Sequence, residues 1–252
     1  MSKAAAGHGI PFRAFVPNAI TAMALCLGLT GVRFAIGGEW EKALASIILA
    51  GVLDGIDGRI ARLLRANSKF GAELDSLSDN IAFGTAPALI LFLWSLQEAP
   101  KFGWTVALAL AVCCALRLAR YNARIDVGTQ PHKEAGYNTG VPAPVGAGLA
   151  FVPLYLWLIT GNGLFQYWAL VMPWTLFIAV MMISSVPTYT WSSIRIRRGW
   201  RLPALAGVAL FGAALLNEPW LTLLGISIVY LATLPFALAS YAQVKRRRAG
   251  AA

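Results

Sequence analysis

Apolar residues gather into eight stretches of this chain, and polar residues collect between them. The stretches run over about 16–36, 40–65, 72–97, 103–122, 142–160, 166–186, 203–217 and 220–243. Most reach the roughly 20 apolar residues an α-helix needs to cross hydrocarbon, and 203–217 is the shortest. Pro17 opens the first, Pro142 and Pro144 the fifth and Pro203 the seventh, first-turn positions where a missing N–H is tolerated. The pattern predicts an all-α, polytopic transmembrane bundle of about eight helices. No internal repeat is visible, and 124–137 reads as a polar loop.

Composition reinforces this picture. Hydrophobic residues are 58% of the 252 and charged residues 13%, against roughly 45–50% and 25% in soluble domains, and mean hydropathy is +0.65. Too little polar surface exists to cover a water-soluble globule, and disorder, a collagen-like fibre and a disulfide scaffold are excluded on the same figures. Cys26, Cys113 and Cys114 lie inside apolar stretches as small packing residues. Residues 1–9 lack the basic-then-apolar pattern of a cleavable signal, so the first stretch is expected to stay as a helix.

The net charge of +10 would suit nucleic acid, but its placement fits a membrane. If the chain starts in the cytoplasm, all 21 basic residues except Arg33, Lys42 and Lys101 fall at cytoplasmic ends and loops of eight spans. Both termini are therefore expected inside. Lys245, Arg246, Arg247 and Arg248 form an anionic-lipid anchor, and no nucleic-acid partner is expected.

One place breaks the apolar rule. Asp54 and Asp57 close the second stretch, and Asp75 and Asp79 open the third. Spacings of three and four put each pair on one helix face, and a short connection makes the two helices antiparallel neighbours. Four converging carboxylates in a low-dielectric site need protons or cations among them. Oxygen donors at this density suit Mg²⁺, Mn²⁺ or Ca²⁺, and two divalent ions would balance the four charges. No His or Cys lies near enough to suggest zinc, and His8 and His132 read as solvated. Gly55, Gly58 and Gly71 weaken helices, so each marks close approach of either a neighbouring helix or a ligand. A metal pair with Arg62 facing the headgroup region describes a diphosphate site.

The spacing Asp54-x₂-Asp57-Gly58-x₂-Ala61-Arg62-x₈-Gly71-x₃-Asp75-x₃-Asp79 resembles, at all eight fixed positions, the signature of the CDP-alcohol phosphotransferase family. The resemblance covers about the first six helices. It implies a core over 1–190 and, over 191–252, an added helix pair with a basic tail. It further implies that Asp54, Asp57, Asp75 and Asp79 hold two divalent cations, with Asp79 also the general base. Gly58, Ala61, Arg62 and Gly71 would line the cytidine and phosphate pocket, an alcohol would attack the phosphoryl group, and CMP would leave. A homodimer in a bacterial inner membrane, with the site facing the cytoplasm, is implied as well.

Shorter stretches resemble the bacterial phosphatidylserine synthase branch: Pro17-Asn18-Ala19-Ile20-Thr21, 68–76, 83–88, 115–122, 140–144 and 185–189. Val145 and Gly146 depart from the small-residue run of that branch. The implied substrates are CDP-diacylglycerol and L-serine. Arg117 and Arg120, one turn apart, suit the serine carboxylate, although either could instead reach lipid headgroups. Asn18 and Thr21 could bond the diphosphate or merely cap and pair helices. Other acceptors in the family (glycerol phosphate, choline, inositol phosphate) stay open at this level. A transporter is disfavoured, because the acids sit near one end of the spans and no repeat is seen.

Overall fold

Nearly all of the described chain is helical, as a backbone in lipid must satisfy its own hydrogen bonds. The computed structural model describes residues 12–66, 68–127, 137–184, 187–189 and 201–249. His8, His132 and the basic residues 195–198 lie outside these, as do the side chains of 245–248.

Helix α1 spans Phe12–Ile36, α2 Trp40–Leu63 and α3 Lys69–Asp79. A π-helical turn, Asn80–Thr85, follows α3 without a break and leads into α4, Ala86–Trp94. Next come α5 (Gly103–Val127), α6 (Ala143–Ala150), α7 (Val152–Thr160) and α8 (Trp168–Ile183). Helices α9 (Arg201–Asn217) and α10 (Pro219–Ala249) form the C-terminal pair.

The expected count of eight spans is not confirmed: among the described residues, four stretches are long and apolar enough to cross a bilayer, Phe15–Ile36, Lys69–Trp94, Gly103–Ala123 and Pro219–Phe236. A fifth arises if α6 and α7, bent by 40°, count as one. The break falls at Phe151, two residues before Pro153, which has no N–H to continue the ladder. Helix α2 falls short because Glu41, Lys42, Asp54, Asp57, Arg59 and Arg62 charge both its ends, and α8 is too short. Pro17 does not open α1 but lies inside it, since the helix begins at Phe12.

The chain is also not purely helical. Tyr137–Thr139 (β1) and Pro187–Tyr189 (β2) pair antiparallel, Asn138 opposite Thr188. Gly140 follows β1 at φ 74°, where a Cβ would lie 2.8 Å from the carbonyls of Met182 and Ser184. Only glycine lets the chain pass so close to the end of α8.

Helix α1 is the shared packing partner of the N-terminal half. It runs along α2 and also against α3, the π turn and α4, whereas α2 and α3 touch each other little. Small residues permit these approaches: a Cβ on Gly28 would sit 2.8 Å from the Ala82 backbone. The reversal from α2 to α3 is a Schellman ending, in which Ala66 N–H donates to the Ala61 carbonyl (2.9 Å) and Arg65 N–H to that of Arg62 (3.3 Å). Arg65 takes the left-handed position at φ 51°, costing about 1–2 kcal/mol for a residue with a Cβ. Ser68 then caps α3, its Oγ accepting from Gly71 N–H at 3.0 Å.

Candidate active site

The last three turns of α2 carry Asp54 and Asp57, and the last two turns of α3 carry Asp75 and Asp79. One carboxylate oxygen from each of Asp54, Asp57 and Asp75 lies within 4.8 Å of the others. Asp79 joins the group through Asp54, since the two carboxyls share a hydrogen bond, and it also faces Asp75 and Arg117 electrostatically. Among the described residues no lysine or arginine forms an ion pair with any of the four; the ion pair seen there, Lys42 with Glu39, lies at the far end of α2. Carboxylates this close need a cation or a shared proton. The donor set is all oxygen and tight enough to surround one hard cation at about 2.0–2.6 Å from each ligand, so it fits a divalent metal.

Helix α1 fixes this arrangement through Thr21. Its hydroxyl donates to Asp57 Oδ2 at 2.6 Å, and its carbonyl accepts from the Ser78 hydroxyl at 3.0 Å. One α1 residue thus ties α2 to α3, and Asp57 is held with only 3% of its surface exposed. Asn122 on α5 adds a second strut, donating to Ser76 Oγ at 2.8 Å. Ser78 was not singled out in the sequence, because its partner lies 57 residues away and no local pattern announces it.

Beside the carboxylates lies a pocket of about 240 Å³. Of the residues expected to bind the nucleotide, Asn18, Thr21, Gly58, Ala61 and Gly71 line it together with Asp57 and Asp75. Arg62 does not; it is exposed on the last turn of α2. The glycines divide. No atom lies within 4 Å of a Cβ placed on Gly55 or Gly58, so helix packing does not account for either. At Gly71 a Cβ would meet Asn18 Oδ1 at 2.9 Å. Gly71→Ala should therefore displace Asn18 and destabilise the protein by about 1–3 kcal/mol. Thermal melts in detergent check this, and Asn18→Ala in the same chain should recover most of the loss; no recovery would show that Asn18 is not the obstacle.

The two arginines of α5 part company. Arg117 is half-buried, faces Asp79, and its Nε has no hydrogen-bond partner among the described residues. Arg120 instead donates to the Ser184 carbonyl at the end of α8, at 3.0 Å. It braces the region where 140–144 and the β1–β2 pair meet α8.

Residues 14–182 match the CDP-alcohol phosphatidyltransferase family, and residues 199–235 match a second profile, CDP-alcohol phosphatidyltransferase 2. The chain is 38% identical to the CDP-diacylglycerol–serine O-phosphatidyltransferase of Mycobacterium tuberculosis over 225 residues, covering 89% of this chain and 78% of that protein. The protein of the same name from Mycobacterium leprae is 37% identical over 88% of this chain and 74% of its own length. That from Helicobacter pylori is 35% identical over 56% and 57%. With the signature aspartates drawn together at one pocket and the match running through most of its length, this chain belongs to the CDP-alcohol phosphatidyltransferase family.

Proposed function

We propose that this chain transfers a phosphatidyl group from CDP-diacylglycerol to the hydroxyl of L-serine, giving phosphatidylserine and CMP. The observation that carries the reading is the convergence of Asp54, Asp57 and Asp75 beside a pocket lined by the signature residues. Identity to relatives named for that reaction, over most of their length, supports the serine acceptor. Two divalent cations, Mg²⁺ or Mn²⁺ with Ca²⁺ also fitting, would be held by Asp54, Asp57, Asp75 and Asp79. When bound they supply positive charge to the diphosphate and to the charge that builds on it during displacement.

The chain's own residues do the rest. Asn18 and the open faces of Gly58 and Ala61 receive the nucleotide diphosphate, and Arg62 approaches it from the rim. Arg117 takes the serine carboxylate, its Nε being without a hydrogen-bond partner among the described residues. Asp79, next to Arg117, accepts the proton of the serine hydroxyl as its oxygen bonds to the phosphorus bearing diacylglycerol. The bond from that phosphorus to CMP breaks, and CMP carries the charge away. Arg120 is a positioning residue in this scheme, because its guanidinium is engaged at Ser184.

A homodimer in a bacterial inner membrane, with the site and both termini on the cytoplasmic side, completes the reading. Arg59, Arg62, Arg65 and Lys69 crowd the aspartate end, as the positive-inside rule asks. Large apolar side chains such as Leu29, Leu116, Phe177 and Val180 are exposed, where lipid or a second copy would cover them.

Purified protein given CDP-diacylglycerol with serine, glycerol 3-phosphate, choline or inositol phosphate in turn should release CMP and form phosphatidylserine with serine alone. A different lipid product would replace the acceptor. Arg117→Ala should raise the KM for serine about tenfold or more with little change in that for the lipid. An unchanged serine KM would return Arg117 to an interaction with headgroups.

A further inference from the structure

A second cavity, apolar and about 900 Å³, is lined jointly by the family core and the C-terminal helix pair. Its volume is at the upper end of the roughly 300–1,000 Å³ that small-molecule sites occupy. The family core supplies one wall, including Gly51 on α2, Phe83 in the π turn and Gly148 on α6. The C-terminal pair supplies the other, with Phe211 of α9 and Leu223, Ile226 and Tyr230 of α10.

We propose that this cavity takes one acyl chain of the lipid donor, and that the α9–α10 pair, which lies beyond the 14–182 core, is the wall that sets the chain length accepted. The inference rests on the reading of the donor as a diacylglycerol nucleotide. Three observations carry it. Continuity is the first. Gly51 is one turn before Asp54 on α2, and Phe83 is one turn past Asp79 on the helical run that continues α3. The same two helical runs therefore carry the aspartates and part of the cavity wall. The second is the chemistry of the wall. No charged residue lines it, and the hydroxyls of Thr222 and Ser227 turn back to their own helix, donating to the Glu218 and Leu223 carbonyls at 2.8 Å each. What they present to the cavity is hydrocarbon, which suits methylene groups and no polar ligand. The third is the shared wall. Phe211, Leu223, Ile226 and Tyr230 of the C-terminal pair line the same cavity as Gly51, Phe83 and Gly148 of the core, so the room left for a chain depends on where α9 and α10 sit.

Gly148 provides the test. Gly148 lines the cavity, no atom of the described residues lies within 4 Å of a Cβ built there, and a larger residue suits the helix better than glycine, so added bulk is directed into the cavity. The full-length protein in detergent is assayed for CMP release with dihexanoyl and dipalmitoyl CDP-diacylglycerol. In Gly148→Phe the ratio of kcat/KM for the dipalmitoyl donor to that for the dihexanoyl donor should fall at least about tenfold, the effect of excluding some two methylene groups. Ile226→Phe, on the α10 wall, should shift the ratio the same way, and it decides the matter if Gly148→Phe loses its melting transition. An unaltered ratio would overturn the proposal and leave the cavity to bulk lipid or a second copy of the chain. If the unmodified protein released no CMP from either donor, the functional reading itself would fail.

Discussion

Asp79→Asn is expected to lower kcat by about 10²–10⁴-fold while leaving the affinity for CDP-diacylglycerol within a few-fold, because a positioned general base contributes on that order. The amide keeps the shape of the carboxyl but cannot accept the serine proton. Asp79 is singled out by its place. It is the last residue of α3, where the α-helical ladder gives way to the π turn, and of the four acids it is the one facing Arg117. Its neighbours can keep the cation site without it, since Asp54, Asp57 and Asp75 already group their oxygens. The measurement is a pair: single-turnover CMP release and equilibrium binding of the CDP-lipid. Unimpaired turnover in the purified variant would remove Asp79 as base, and a parallel collapse of binding would make it a ligand first.

Removal of divalent cations should be as damaging. Chelation is expected to abolish CMP release and to lower the melting temperature, since the four carboxylates then face one another with no ion pair from the described lysines and arginines. Readdition of Mg²⁺ or Mn²⁺ should restore both, and a cation present at a hundred times its Kd stabilises by about 2.7 kcal/mol. Asp57→Ala separates the two effects. It removes one ligand and the bond that ties α1 to α2 at Thr21, leaving that hydroxyl only the Pro17 carbonyl, so the variant should melt lower and respond little to added metal. Full activity after exhaustive chelation would refute the cation site. A normal metal-dependent shift in Asp57→Ala would instead exclude Asp57 from it.

Much of the site was legible along the chain because its spacing is local. Residues three and four apart share a helix face, so the pairs Asp54 with Asp57 and Asp75 with Asp79 followed from period alone. Gly58, Ala61 and Gly71 of the signature line one pocket together with Asn18 and Thr21. What Arg62 and Arg120 point to was not legible in the sequence, because a basic residue near a helix end looks the same whether it points to solvent, to Ser184 or to a ligand. The bend between α6 and α7 was hidden for a related reason: apolar content does not distinguish a long straight helix from a pair bent ahead of Pro153.

By itself, then, the sequence determined the apolar helical class, the grouping of the aspartates on shared helix faces, and the glycines beside them. These depend on composition and on contacts within a turn or two. Only the tertiary structure decided how the cluster is held: by α1, through a threonine that bonds an aspartate 36 residues on and a serine 57 residues on. It alone showed that β1 and β2 fasten the start of α6 to the end of α8, and that the C-terminal pair closes a cavity on the core. Such links join segments far apart in the chain. Each side chain's local pattern fits several partners, and the choice is made by which helices pack against which.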